Sequence, residues 1–141
     1  MINNHQSLEE ISPKIERLID ANLNRLKEGL RVIEDICRYI HNDTQLTPQI
    51  KTLRHQLQSA YSINRLQYRN IEGDTQKQST KSELTRSNLN DLVIANFSRT
   101  QESSRVLEES FKLQNIELSE LFKQIRYQLY GLEKAYFLSF N

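Results

Sequence analysis

The sequence is poor in the residues that build turns, staples and membrane spans. Its 141 residues include one cysteine, three glycines and two prolines. One cysteine, Cys37, cannot close an internal disulfide, which fits a reducing, cytoplasmic setting. So few glycines and prolines argue against a sheet-rich fold, whose turns consume both. No glycine-rich loop is present, which excludes a P-loop or a Rossmann phosphate cradle. The longest apolar runs, Leu92 to Ala95 and Ala135 to Leu138, are four residues each, so no membrane span is expected. The opening MINNHQSLEE has no apolar stretch and does not read as a secretory signal. With 19 Lys+Arg against 18 Asp+Glu and no basic cluster, a nucleic-acid partner held by counterion release is not expected.

What is present is helical periodicity. Ile15, Leu18, Ile19, Leu23, Leu26, Leu30, Ile33, Cys37 and Ile40 fall on one helical stripe. Ser12 before Pro13 reads as a start signal, giving a first helix over 13–41 after a frayed segment, 1–12. Thr47-Pro48 repeats that signal, and Ile50, Leu53, Leu57, Ala60 and Tyr61 carry a second helix to about residue 67. Residues 69–86 are polar, with a loop at 70–82. A third helix is predicted over 87–113, with Leu89, Leu92, Val93, Phe97, Val106, Leu107 and Phe111 inward. A fourth, capped by Ser119, is predicted over 120–138.

The chain repeats itself. Residues 19–40 laid over 93–114 give seven identities in 22 positions, where chance gives about one or two. The shared residues are Ala21/Ala95, Asn22/Asn96, Arg25/Arg99, Glu28/Glu102, Arg31/Arg105, Val32/Val106 and Glu34/Glu108. Residues 50–57 lie over 122–129, sharing Lys51/Lys123, Arg54/Arg126, Gln56/Gln128 and Leu57/Leu129. This predicts an all-α, single-domain four-helix bundle made of two helical hairpins, about 13–68 and 87–138, with an approximate two-fold axis.

The repeated residues are mostly polar, which a bundle core does not require. On a wheel of about 100° per residue, Asn22 sits in the middle of the apolar stripe and Arg25 at its edge. Glu28 lies beside Arg25, and Arg31 lies about 180° from Asn22. Gly29 and Ser103 are small residues on the stripe, where a backbone or ligand can approach closely. A ladder of i,i+3 charges is usually a solvated face worth a few tenths of a kcal/mol per pair. Yet both copies keep Arg as Arg and Glu as Glu, and only Arg offers a planar fork to phosphate or carboxylate. Arg31 and Arg105, on the back, ask for cover from neighbouring helices or from a second subunit in a homodimer. Cys37 reads as a core residue, and His5 and His41 as histidines without partners. His55, beside Arg54, is a weaker binding candidate.

The stretches DANLNRLKEGLRVIEDICRYI, LRHQL, RNIEGD with Arg86, and IANFSRTQESSRVLEES resemble the small helical hydroxymethylpyrimidine-phosphate kinase domain of thiamine biosynthesis. That domain is often fused in front of thiamine phosphate synthase. The resemblance implies ATP-dependent phosphorylation of hydroxymethylpyrimidine phosphate to its diphosphate, with Mg²⁺. It also departs from the family pattern, with Asn70 in place of an aspartate and Thr75-Gln76 in place of Val-Gly. On this resemblance, Arg25, Arg31, Arg54, Arg99 and Arg105 become phosphate ligands, with Asn22, Asn96 and His55 binding substrate. Arg69, Arg86 and Asp74 become the catalytic group, and Asp74, Glu28 and Glu102 the carboxylates for Mg²⁺. The rival reading is a non-catalytic helical module associated with thiamine phosphate synthase.

Overall fold

The computed structural model describes residues 8–80 and 84–140. Helix α1 (Leu8–Asp35) carries the longest apolar stripe, and Ile19, Leu23, Leu26, Leu30 and Ile33 on it are all but inaccessible to solvent. Pro13 lies inside this helix, so Ser12-Pro13 is not its start. Leu18 and Ile40, expected inward, are exposed. A π turn, Ile36–Ile40, ends the helix. Asn42 then takes a positive φ of 49°, a conformation asparagine tolerates better than most residues.

Helix α2 (Leu46–Gln56) is capped by Asp43, whose Oδ1 accepts from the amides of Gln45 and Leu46 at 2.7 and 2.6 Å. Thr47-Pro48 is therefore inside the first turn. The second helix does not run to residue 67. It tightens into a 3₁₀ turn, Leu57–Ala60, and breaks at Tyr61 and Ser62, both extended. A further 3₁₀ stretch, Ile63–Tyr68, follows. The break turns Arg65 inward, where Nε donates to Glu16 at 2.6 Å and Nη1 to the Ala60 carbonyl at 2.7 Å. A nearly buried arginine satisfied in this way outweighs the helical pattern of the local sequence.

Helix α3 (Leu89–Phe111) starts at an Asn88 cap, whose Oδ1 accepts from the Asp91 amide at 2.8 Å. Helix α4 (Ile116–Phe140) is capped by Asn115, not by Ser119. Ser119 is buried inside α4 and donates to the Glu108 carbonyl at 2.8 Å, tying the two helices together.

Helix α1 packs along α3, α3 along α4 and α1 along α2, while α2 and α4 touch only lightly. Apolar side chains of all four helices form one core, with Phe111 stacked on Phe122 at 5.5 Å and Phe97 against Tyr136. Gly29 allows the close approach of α1 and α3: a Cβ there would stand 2.7 Å from the Thr100 methyl. Among the described residues there is no strand. Also among them, no helix is long and apolar enough to cross a membrane.

Candidate functional site

The repeated arginines divide into two groups with different partners. Arg31 donates to Glu34 at 2.9 Å, and Arg54 reaches the same carboxylate from α2 at 3.3 Å. Arg105 donates to Glu108 at 2.6 Å, and Arg126 reaches that carboxylate from α4 at 3.1 Å. Glu34 and Glu108 are both buried. Each is thus held by one arginine on its own helix and one on the helix that follows. A buried carboxylate has to be paired, so this accounts for the repetition of Arg31, Arg54 and Arg105. Arg31 and Arg105 nonetheless remain about half-exposed, at 53% and 55%. The Glu108 carboxylate and the Tyr130 hydroxyl hold Arg126 firmly in its charged form.

Arg25 and Arg99 differ. Neither has a hydrogen-bond or carboxylate partner among the described residues, and both are exposed. They line one polar recess of about 470 Å³ at the α1–α3 seam, with Asn22, Arg86, Glu102 and Ser103. Three guanidinium groups face one carboxylate there. Arg86, in the segment before α3, also donates to the Thr85 carbonyl at 3.0 Å.

A second recess, of about 580 Å³, adjoins the first and shares Asn22 and Arg25. Lys14, Arg17, Asp20 and Asn24 of α1 form one wall, and Arg69, Asn70 and Asp74 the other. Arg69 makes a two-pronged contact with Asp20 at 2.7 and 2.8 Å. Arg17 donates to the Asn70 carbonyl at 3.1 Å. These two contacts fasten the segment after Arg69 to α1. The hydrogen bond to Asp20 raises the Arg69 pKa above its ordinary value, so its charge is permanent. Asp74 Oδ1 accepts from the Gln76 amide at 2.9 Å.

Asn22 is buried, as its place on the wheel requires. Its Nδ2 donates to the Leu18 carbonyl at 2.9 Å, and Asn96 Nδ2 donates to the Leu92 carbonyl at 2.8 Å. The two amides repeat the same i−4 contact, which leaves each Oδ1 as an acceptor without a partner among the described residues.

The structure therefore gathers Asn22, Arg25, Arg86, Arg99 and Glu102, with Arg69 and Asp74 next door. It does not gather the remaining candidates. Arg31, Arg54 and Arg105 are committed to buried glutamates, and His55 is exposed on α2. Asn96 lies at the seam but lines neither recess, and Glu28 lines neither. Among the described residues, no three His, Cys, Asp or Glu side chains converge as a metal site. Asp74 and Glu102 lie in different recesses. Sequence reasoning missed Lys14, Arg17, Asp20 and Ser98. Repetition was the signal followed, and Asp20 faces Ile94 in the second copy. His41, read as lacking partners, meets Tyr136 OH at 2.7 Å and stacks on Phe140 at 3.9 Å.

The ThiD2 family model matches residues 17–135. The chain is 42% identical over 123 residues to a thiamine-phosphate synthase of Thermosynechococcus vestitus, covering 86% of this chain and 35% of that one. It is 37% identical over 134 residues to the thiamine-phosphate synthase of Nostoc punctiforme, covering 94% and 38%. It is 40% identical over 125 residues to that of Rhodopirellula baltica, covering 85% and 33%. The chain thus spans little more than a third of the length of these curated relatives. No solved structure matches it significantly.

Proposed function

Since this chain belongs to the ThiD2 family, we propose that it serves thiamine biosynthesis as an ATP-dependent kinase. Its substrate in this reading is hydroxymethylpyrimidine phosphate, and its product the diphosphate. The observation that carries the proposal is the sorting of the repeated arginines. Those that stabilise the fold have buried glutamates, while Arg25 and Arg99 stand unpaired at one recess. Exposed guanidinium groups gathered without carboxylate partners are what a phosphorylated ligand requires.

Phosphoryl transfer depends on positioning and on neutralising charge, and the two substrates bring roughly five to six negative charges. Arg25, Arg86 and Arg99 take phosphate oxygens in the seam recess. Lys14, Arg17 and Arg69 supply positive charge in the adjoining one. Between them, the Asn22 Oδ1 accepts from the exocyclic amine of the pyrimidine, with the amide held in place by the Nδ2 bond to Leu18. Mg²⁺ usually keeps several waters and takes only one or two carboxylates beside the phosphates. Asp74 and Glu102, which do not form a cage, fit that role, and the ion would neutralise phosphate charge. In this reading the two hairpins are copies of one unit in a four-helix bundle, related by an approximate two-fold axis. The recurrence of the Arg–Glu–Arg clamp at Glu34 and Glu108 supports it.

A second reading is a non-catalytic module working with thiamine phosphate synthase. It is favoured by the relatives' name and by the share of their length that this chain spans. ADP release from ATP, Mg²⁺ and hydroxymethylpyrimidine phosphate separates the two. The kinase reading expects turnover that falls about tenfold or more in Arg99→Lys, a loss of some 1.4 kcal/mol in transition-state stabilisation. Arg105→Lys should leave turnover within about twofold. A well-folded wild-type chain that releases no ADP, or an Arg99→Lys variant with unchanged turnover, sinks the assignment.

A further inference from the structure

A separate recess of about 420 Å³ lies between the end of α1 and the first turns of α2, and shares no residue with the two at the seam. Arg31, Arg38, Lys51 and Arg54 line it, against the single carboxylate of Glu34. Arg31 and Arg54 are fixed by that carboxylate. Lys51 has no partner among the described residues, and the contact shown for Arg38 is with the ring of Tyr39 at 4.9 Å. Thr47, also on the wall, has a buried hydroxyl with no hydrogen-bond partner.

The second repeat shows how the same corner looks when closed. Ser119, the counterpart of Thr47, spends its hydroxyl on the Glu108 carbonyl at 2.8 Å. Lys112, the counterpart of Arg38, is tied to Glu109 at 2.8 Å. Glu120 stands where the first repeat has Pro48, adding a negative charge. The second copy thus commits the Ser119 hydroxyl and the Lys112 charge within the chain, although Lys123, the counterpart of Lys51, has no partner among the described residues; the first copy leaves the Thr47 hydroxyl and Arg38 without such contacts. The amides at the start of α2 are already taken by Asp43, so the recess relies on side chains and not on the helix terminus.

We propose that this corner of the first repeat is a second anion site, which takes inorganic phosphate or diphosphate and is independent of the seam. Lys51 and Arg38 supply the unsatisfied charge, Arg54 the fixed wall, and Thr47 a hydroxyl donor. An uncompensated cluster of this kind is lowered in free energy by an anion that fills its donors.

Titration calorimetry with phosphate and, separately, diphosphate tests it in the full chain carrying Arg25→Ala, Arg86→Ala and Arg99→Ala, which removes all three guanidinium groups of the seam recess. One anion per chain is expected to bind in that background. The anion that binds more tightly identifies the ligand. Adding Arg38→Ala and Lys51→Ala should weaken binding about tenfold or more. Both residues are exposed, and an unchanged melting temperature without ligand would show that the fold persists. The Thr47 and Lys51 amide resonances should shift with the titration. No binding at millimolar anion in the seam-silenced chain, or binding indifferent to Arg38 and Lys51, overturns the proposal.

Discussion

The thiol of Cys37 has no solvent exposure and lies among the core side chains, where the wheel places it. Burial, with a smaller contribution from the Asp43 carboxylate, pushes its pKa from 9.0 up to about 11. The unfolded thiol ionises near 9.0 and the folded one does not, so the folded state holds the extra proton across that interval. This contribution to stability is full below the lower value and is lost as pH rises through the upper one. It amounts to about 2 kcal/mol. Urea melts at about pH 8 and about pH 10.5 should show that loss, and Cys37→Ala should flatten it. The slope should not vanish, because burial also raises the pKa of the Tyr61 and Tyr136 hydroxyls. A thiol reagent at neutral pH should label Cys37 only on unfolding.

Among the helices, the α1–α3 contact is the most exacting. Gly29 lies where a Cβ would meet the Thr100 methyl at 2.7 Å, and Thr100 is wholly buried and branched at Cβ. Alanine gains about 1 kcal/mol of helix propensity over glycine, but overpacking costs about 1–3 kcal/mol. Gly29→Ala is therefore expected to lower stability, and Thr100→Ser in the same chain to restore it. Gly131 is the control. Nothing stands within 4 Å of its added Cβ, so Gly131→Ala should gain about 0.5–1 kcal/mol. Thermal melts of these three variants beside the wild type decide this. The apolar stripes of these helices were legible in the sequence, because period and burial have one cause. Their ends were less so. The Ser12-Pro13 pair looks like a start, yet Pro13 lies inside α1. The second helix looked continuous because nothing local shows that Arg65 turns inward to meet Glu16, 49 residues away.

Over the whole molecule, one charge clamp joins α1 to α2 and another joins α3 to α4, while α1 and α3 pack along each other. Glu108→Gln removes the charge that Arg105 and Arg126 share. Since Arg105 is half-exposed, the expected loss is about 1–3 kcal/mol, below the figure for a fully buried pair. Chemical denaturation should show this, with Glu102→Gln leaving the midpoint unmoved. The repeat singled out Asn22, Arg25 and Arg99, which share the seam recess, but could not separate them from Arg31 and Arg105. That distinction rests on which arginines find a buried carboxylate, and Glu34 and Glu108 meet theirs across a turn. Lys14, Arg17 and Asp20 were illegible for the opposite reason. They belong to one copy only, and the wall of the recess that faces them comes from a segment about 50 residues away.

The chain has six tyrosines and no tryptophan, so its near-ultraviolet absorbance and emission are those of phenol rings. Tyr136 is buried, with its hydroxyl 2.7 Å from His41 Nε2, where the imidazole can take up the excited-state proton and quench emission. Tyr39, Tyr127 and Tyr130 are exposed. An alkaline titration followed by phenolate absorbance should resolve into stages, with the Tyr61 and Tyr136 signals arriving last or only as the chain unfolds. Emission should reach its minimum at that same step, because a phenolate emits far less than a phenol, giving the protein a built-in optical gauge of its own core. A single titration step, finished before unfolding, would mean that neither ring is shielded in solution.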